Sequence, residues 1–134
     1  MAGPPLVDDP TIGDDAVLWR RVFPAWIVPD QNAGGLRVSS AAFDDSKDGT
    51  PLSALLAEIV AQTGRTAQHV LAGYDGYALA AIAAGVARHH AQGIAKTPEP
   101  DEPAHVSVFG PKTTSNKRGM AKVATWVIAP VAPP

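Results

Sequence analysis

Apolar and polar residues alternate along some stretches of this chain and recur at helical spacing along others, which predicts a mixed α and β domain. The first run, "AVLWRRVF" over 16–23, carries β-branched and aromatic residues, with consecutive arginines on opposite faces; it reads as a strand. Pro24 interrupts it before "WIV" at 26–28. "DQNAGG" has the composition of a turn, so "LRVSS" at 36–40 is expected to pair back as a hairpin. The spacing then predicts a helix over 51–63, "PLSALLAEIVAQT". Thr50 would cap it, Pro51 sits in its first turn and Gly64 closes it, with Leu52, Leu55, Leu56 and Ile59 as its buried stripe. A shorter helix is expected over 67–72, ended by Gly73, and "YDGY" is a turn.

Residues 77–92 satisfy two readings. Leu79, Ile82, Val86 and His90 fall near one helical face, while Gly85 favours a short strand from 77 to 83 followed by a helix. "KTPEPDEP" reads as a proline-spaced connector. "AHVSVF" reads as a strand with His105, Ser107 and Phe109 on one side and Val106 and Val108 on the other. A last helix is expected over 116–128, with Met120, Val123, Ala124 and Val127 inward. The whole predicts a single compact α+β domain over 16–128, with a small, mostly antiparallel sheet and two to four helices. Proline-rich tails flank it at 1–15 and 129–134.

Composition narrows the chemistry more than the fold. At 134 residues, 46% hydrophobic and 18% charged, the chain is long enough for one buried core. A formal charge of -2 gives no whole-molecule attraction to nucleic acid, so such contact would need a local patch. Cysteine is absent, which excludes disulfides, thiolate nucleophiles and Cys-ligated metals. The longest uncharged apolar run, 77–87, is far short of the roughly 20 residues of a membrane-spanning helix. "MAGPPLVDDP" lacks the basic and apolar regions of a secretory signal, so a cytoplasmic location is expected. Rich in alanine, proline and aspartate, the chain resembles in general look small bacterial proteins.

Candidate chemistry gathers in two places. In "HVSVFGPKTTSNKRGMAK" a strand, a Gly-Pro break and a basic helix start follow one another, and helix N-termini attract anions. Lys112, Thr114, Ser115, Lys117 and Arg118 are the anion-binding candidates, and with Lys122 they make a nucleic-acid reading available. The P-loop spacing is absent, since Pro111 and Val106 stand where its glycines would be. The same residues also suit an ordinary helix capped by Thr114 or Ser115, with a wet basic face. His105 is a candidate general base or ligand-orienting residue, or a packed strand histidine. His89 and His90 are adjacent and His69 has no partner at metal spacing, so no metal site is expected. The pairs Asp8-Asp9, Asp14-Asp15 and Asp44-Asp45 fall in loops, and Ser39-Ser40 lacks a nucleophile elbow.

The order "LWRR", "GGLRVSS", "PLSALLAE" resembles, over about 17–60, the RES-domain family of NAD-degrading toxins with a fold like that of ADP-ribosyltransferases. The resemblance implies NAD as cofactor or substrate and Arg20, Arg37 and Glu58 as catalytic residues. Two arginines would clamp the pyrophosphate and the carboxylate would stabilise the cationic sugar. Where the family runs Gly-Gly-Arg, this chain has Gly34-Gly35-Leu36-Arg37. The reading that needs fewest special roles is a non-catalytic binding or accessory module, a protein-interaction subunit or homo-oligomer without a cofactor. Its anchors would come from Trp19, Trp26 and Trp126.

Overall fold

The computed structural model describes residues 5–131. In chain order the strands are β1 (Val17–Val22), β2 (Ile27–Pro29), β3 (Leu36–Val38), β4 (Leu52–Leu56), β5 (Ala78–Ala83), β6 (Gly93–Lys96), β7 (His105–Phe109) and β8 (Thr125–Ile128). The helices are α1 (Ala57–Gln62), α2 (Ala67–Val70), α3 (Ala84–His89) and α4 (Thr114–Val123), and 3-10 turns cover Pro24–Trp26 and Ser40–Phe43. Six strands build one antiparallel sheet in the order β6-β7-β4-β1-β5-β8, and β2 and β3 form the expected hairpin beside it. The α+β class and the mostly antiparallel sheet are as the sequence predicts.

Helices and loops cover both faces of the sheet. Leu18, Val22, Leu52, Leu56, Ile82 and Val108 enter one core, closed by Ile12, Phe43 and Met120. Leu55 and Leu79 enter a second, closed by Val60, Val70 and Ala104. Each such side chain contributes about 1.5–3 kcal/mol by leaving water, so the central strands must be apolar on both sides.

That two-sided burial overturns the helix expected over 51–63. Leucines at 52, 55 and 56 suit a helical stripe, but they suit a doubly buried strand equally well. Here 52–56 pairs with β7 along most of its length and with β1 at its end, and the helix begins only at Ala57. Gly64, at φ +73, follows that helix as predicted, because the left-handed conformation there suits glycine.

Residues 77–92 take the strand-then-helix course. Gly85 belongs to the helix because Asp14 packs against it, with the Gly85 N–H donating to the Asp14 carbonyl at 2.8 Å. The helix expected over 116–128 is instead split. It starts at Thr114 and ends at Val123, and 125–128 becomes the edge strand β8 against β5. Val123 and Val127, expected inside, are 49% and 38% exposed, whereas Trp126 and Ile128 face inward. "TWVI" is rich in β-branched and aromatic residues, and an open strand edge draws it out of the helix. β6 has no counterpart in the sequence reading; Gly93 lies opposite Phe109, whose ring occupies the room a Cβ would take.

Of the N-terminal tail, Asp8 and Asp9 lie against the sheet edge. Asp9 N–H donates to the Ile94 carbonyl at 2.8 Å, Asp8 accepts from Ile94 N–H at 2.9 Å, and Ile12 is buried in the core. This covers β6, an edge that would otherwise be open to another strand. Arg88 holds the segment down through Asp8 at 3.2 Å and Asp14 at 2.7 Å. Residues 1–4 and 132–134 of the two expected tails lie outside the described residues.

Candidate functional site

The sheet divides in its middle. β1 pairs with β4 only at Leu18 with Leu56 and Trp19 with Leu55. Beyond that point β1 stays with β5, through Arg20, Arg21 and Val22, while β4 stays with β7, through Ala54, Ser53 and Leu52. A fork opens between them, with a cavity of about 250 Å³ lined by Trp19, Arg20, Arg21, Trp26, Ser53, Tyr74, Tyr77 and His105, among others.

Arg20 spans the fork. Its Nε donates to the Ala42 carbonyl at 2.9 Å and its Nη1 to the Ser53 carbonyl at 3.0 Å, so it ties the strands together where they cease to pair. Among the described residues no carboxylate lies within salt-bridge distance of it. Burial, and then repulsion from Arg21, pull its pKa down to about 10. A guanidinium has five N–H donors, and two carbonyls leave several of them unused. Arg21 is better served. Its Nε donates to the Val70 carbonyl at 2.8 Å, and Glu102 lies 4.0 Å away. The Glu102 carboxylate, however, is gripped at 2.7 Å through both oxygens by Arg65, which is the main reason its pKa falls below the ordinary range.

Four aromatic rings arch over the fork in an edge-to-face chain. Trp26 meets Phe23 at 5.8 Å, Phe23 meets Tyr77 at 5.5 Å and Tyr77 meets Tyr74 at 5.2 Å. A guanidinium lies against each end: Arg20 is 5.2 Å from the Trp26 ring centre and Arg21 is 4.2 Å from that of Tyr74. Phe23 and Tyr74 are exposed.

On the far wall stands His105. Its Nδ1 lies 2.9 Å from the Thr97 carbonyl, which can only accept, so Nδ1 carries the proton. The bare Nε2 then accepts from the Ser53 hydroxyl at 3.0 Å. The Thr97 hydroxyl adds contacts to His105 Nδ1 at 2.8 Å and to Ser107 at 2.9 Å. His105 thus lines the cavity with both ring nitrogens hydrogen-bonded. The sequence reading missed Ser53, which it assigned to a helix interior; only strand register brings it to His105. The shared face of His105 and Ser107 was the one legible signal.

The other candidate residues are dispersed. Arg37 lies on the hairpin, with Nη1 3.3 Å from the Val38 carbonyl, and faces a broad groove of about 1200 Å³ between the hairpin and α4. Glu58 is exposed on α1 and lines neither hollow. Arg20, Arg37 and Glu58 therefore do not share one cleft. In the basic segment, Thr113 caps α4, not Thr114 or Ser115: its hydroxyl accepts from Asn116 N–H at 3.1 Å, and both later residues are exposed. Lys112 pairs with Asp45 at 2.8 Å and Lys117 with Asp44 at 3.0 Å. Arg118 and Lys122 face the broad groove with Arg37, and Trp126 lies there too, its Nε1 donating to the Leu36 carbonyl at 3.1 Å.

Among the described residues, no cluster of His, Cys, Asp or Glu is arranged to hold a metal ion, and no helix is long and apolar enough to cross a membrane. The class that fold and site define is an α+β domain with a forked antiparallel sheet and a cationic, aromatic-rimmed cleft. The chain matches no known family, no curated protein and no solved structure.

Proposed function

We propose that this chain is a ligand-binding domain whose fork receives a phosphoryl group attached to an aromatic or heterocyclic ring. The observation that carries this reading is Arg20: a guanidinium in a cavity, bound only to carbonyls, with its pKa depressed by burial and by Arg21. A guanidinium held from water without a counter-ion is costly unless an anion joins it. A phosphoryl group meets the planar fork of donors better than a carboxylate of the chain can. Aromatic rings around the mouth suit a flat ring stacked outside the charge.

Size sets the class further. Sites for drug-sized ligands run from about 300 to 1,000 Å³. At about 250 Å³ the fork suits one phosphoryl group and part of a ring, the scale of an aryl phosphate or a nucleoside monophosphate. NAD shares this chemistry at each half, so the RES-like reading keeps its pyrophosphate contact through Arg20. It loses the carboxylate, since Glu58 lies away from the fork. Binding is thus favoured over NAD cleavage, and a small anionic ligand over a protein partner.

The test is thermal unfolding with inorganic phosphate, AMP and NAD, on the wild type and on Arg20→Gln. The expected result is stabilisation by AMP above that by phosphate, and none in the variant. Equal stabilisation of both proteins, or none in either, sinks the reading.

A further inference from the structure

The fork holds more than a receptor for an anion needs. Ser53 Oγ is 3.0 Å from His105 Nε2, and the imidazole is held in the one tautomer that leaves Nε2 free to accept, because Nδ1–H is bound by the Thr97 carbonyl at 2.9 Å. A structural serine–histidine contact has no need of a fixed proton or of a cavity. Here both are present, beside two guanidinium groups. Ser53 lines the same cavity: its own carbonyl accepts from Arg20, and its hydroxyl meets His105. An anion bound in the cavity by the remaining donors of Arg20 would lie near that hydroxyl.

We infer that Ser53 is a nucleophile, activated by His105, that takes the phosphoryl group of a phosphomonoester bound in the fork; this rests on the binding reading above. The Oγ–P bond forms as the bond from phosphorus to the leaving oxygen breaks. The Ser53 proton passes to His105 Nε2 and from there to the departing alkoxide, so the alcohol leaves neutral. Water then attacks the phosphoserine, giving its proton to Nε2, which returns it to Ser53 Oγ as inorganic phosphate departs. The free donors of Arg20 face the charge on the phosphoryl oxygens. Glu99, whose carboxylate lies 3.9 Å from Nε2, and the Thr97 carbonyl stabilise the imidazolium formed in between.

The geometry also explains why the third member need not be a carboxylate bonded to the ring. Orienting the imidazole is the work of the Nδ1 partner, and a backbone carbonyl fixed by β-pairing performs it: Thr97 N–H donates to the His105 carbonyl at 3.1 Å.

The experiment uses p-nitrophenyl phosphate, an aryl phosphate of the size the fork admits, with wild type, Ser53→Ala and His105→Gln. The inference expects p-nitrophenol release by the wild type and a loss of about a hundredfold or more in each variant. It also expects acid-quenched wild type to carry a phosphoryl mass increment on the peptide containing Ser53. Phosphate-dependent stabilisation should persist in Ser53→Ala. Release that survives in Ser53→Ala overturns the inference. So does a wild type that is stabilised by phosphate yet shows neither turnover nor adduct, and the binding reading then stands alone. Absence of stabilisation by any phosphate removes both. Should either variant fail to fold, the adduct on wild-type protein decides.

Discussion

Two regions of this domain are rich in cations, and they are organised in opposite ways. At the start of α4, Lys112 and Lys117 each meet an aspartate from the loop after Phe43. In the fork, Arg20 hydrogen-bonds, among the described residues, only to backbone carbonyls. The first region looks like an anion site by composition, yet Lys112 and Lys117 are already neutralised from across the fold, and only Arg118 and Lys122 face open space. The second is inconspicuous in the sequence and retains its charge. Counting basic residues therefore misplaces the site, and the pairing of each cation decides which region can still attract a ligand.

The widest separation between the two regions should appear on removing Asp45. Its carboxylate serves Lys112, whose side chain is only 5% exposed, and accepts from Leu52 N–H at 3.0 Å. Asp45→Ala should cost about 3 kcal/mol in denaturant unfolding, because a buried ammonium loses its counter-ion, keeping the Val108 carbonyl at 2.9 Å, while an N–H loses its acceptor. A loss under about 1 kcal/mol would mean that the corner is not neutralised in this way.

Arg20→Gln probes the other region. Wild type at a hundred times its Kd for ligand should gain about 2.7 kcal/mol, and the variant should gain nothing. An unchanged ligand response would dissolve the contrast.

Acid should act mainly on the paired carboxylates. The Lys117 hydrogen bond holds Asp44 below its ordinary pKa, and that from Arg65 does the same for Glu102. Groups with depressed folded values contribute stability above the unfolded value of about 4, and that stability is lost as pH falls through the folded values. Melting temperature should therefore drop as pH goes from about 5 to 3, less steeply in Glu102→Gln. Parallel profiles for the two proteins would count against this assignment.

The smallest effect belongs to Lys117→Ala. Its partner Asp44 is about half exposed, and such pairs contribute at most a few tenths of a kcal/mol. A change beyond about 1 kcal/mol in chemical unfolding would show that the corner depends on this pair more than its exposure allows.

Much of the fold was legible from local pattern. β1, the β2–β3 hairpin and β7 lie where alternation and turn residues predict them, and Gly64 ends a helix as expected. Two errors, the helices over 51–63 and 116–128, share one cause. A segment whose apolar spacing suits both forms takes the one its neighbours can pair with, and β7 and β5 each offered an edge. The site was partly legible. Arg20 and His105 stand out by residue type, but Ser53 was hidden inside the misread helix, and Tyr74 and Tyr77 looked like turn residues.

The sequence by itself determined the class of domain, the absence of cysteine chemistry and the supply of arginines, aromatics and histidines from which a site could be made, because these depend on composition and on contacts a few residues apart. Only the tertiary structure decided that β1 and β4 part after Trp19, that Ser53 meets His105 across 52 positions, and that Lys112 and Lys117 find aspartates while, among the described residues, Arg20 does not. The physical reason is that strand register and charge pairing are set by distant segments arriving at one place, and no local spacing encodes that arrival.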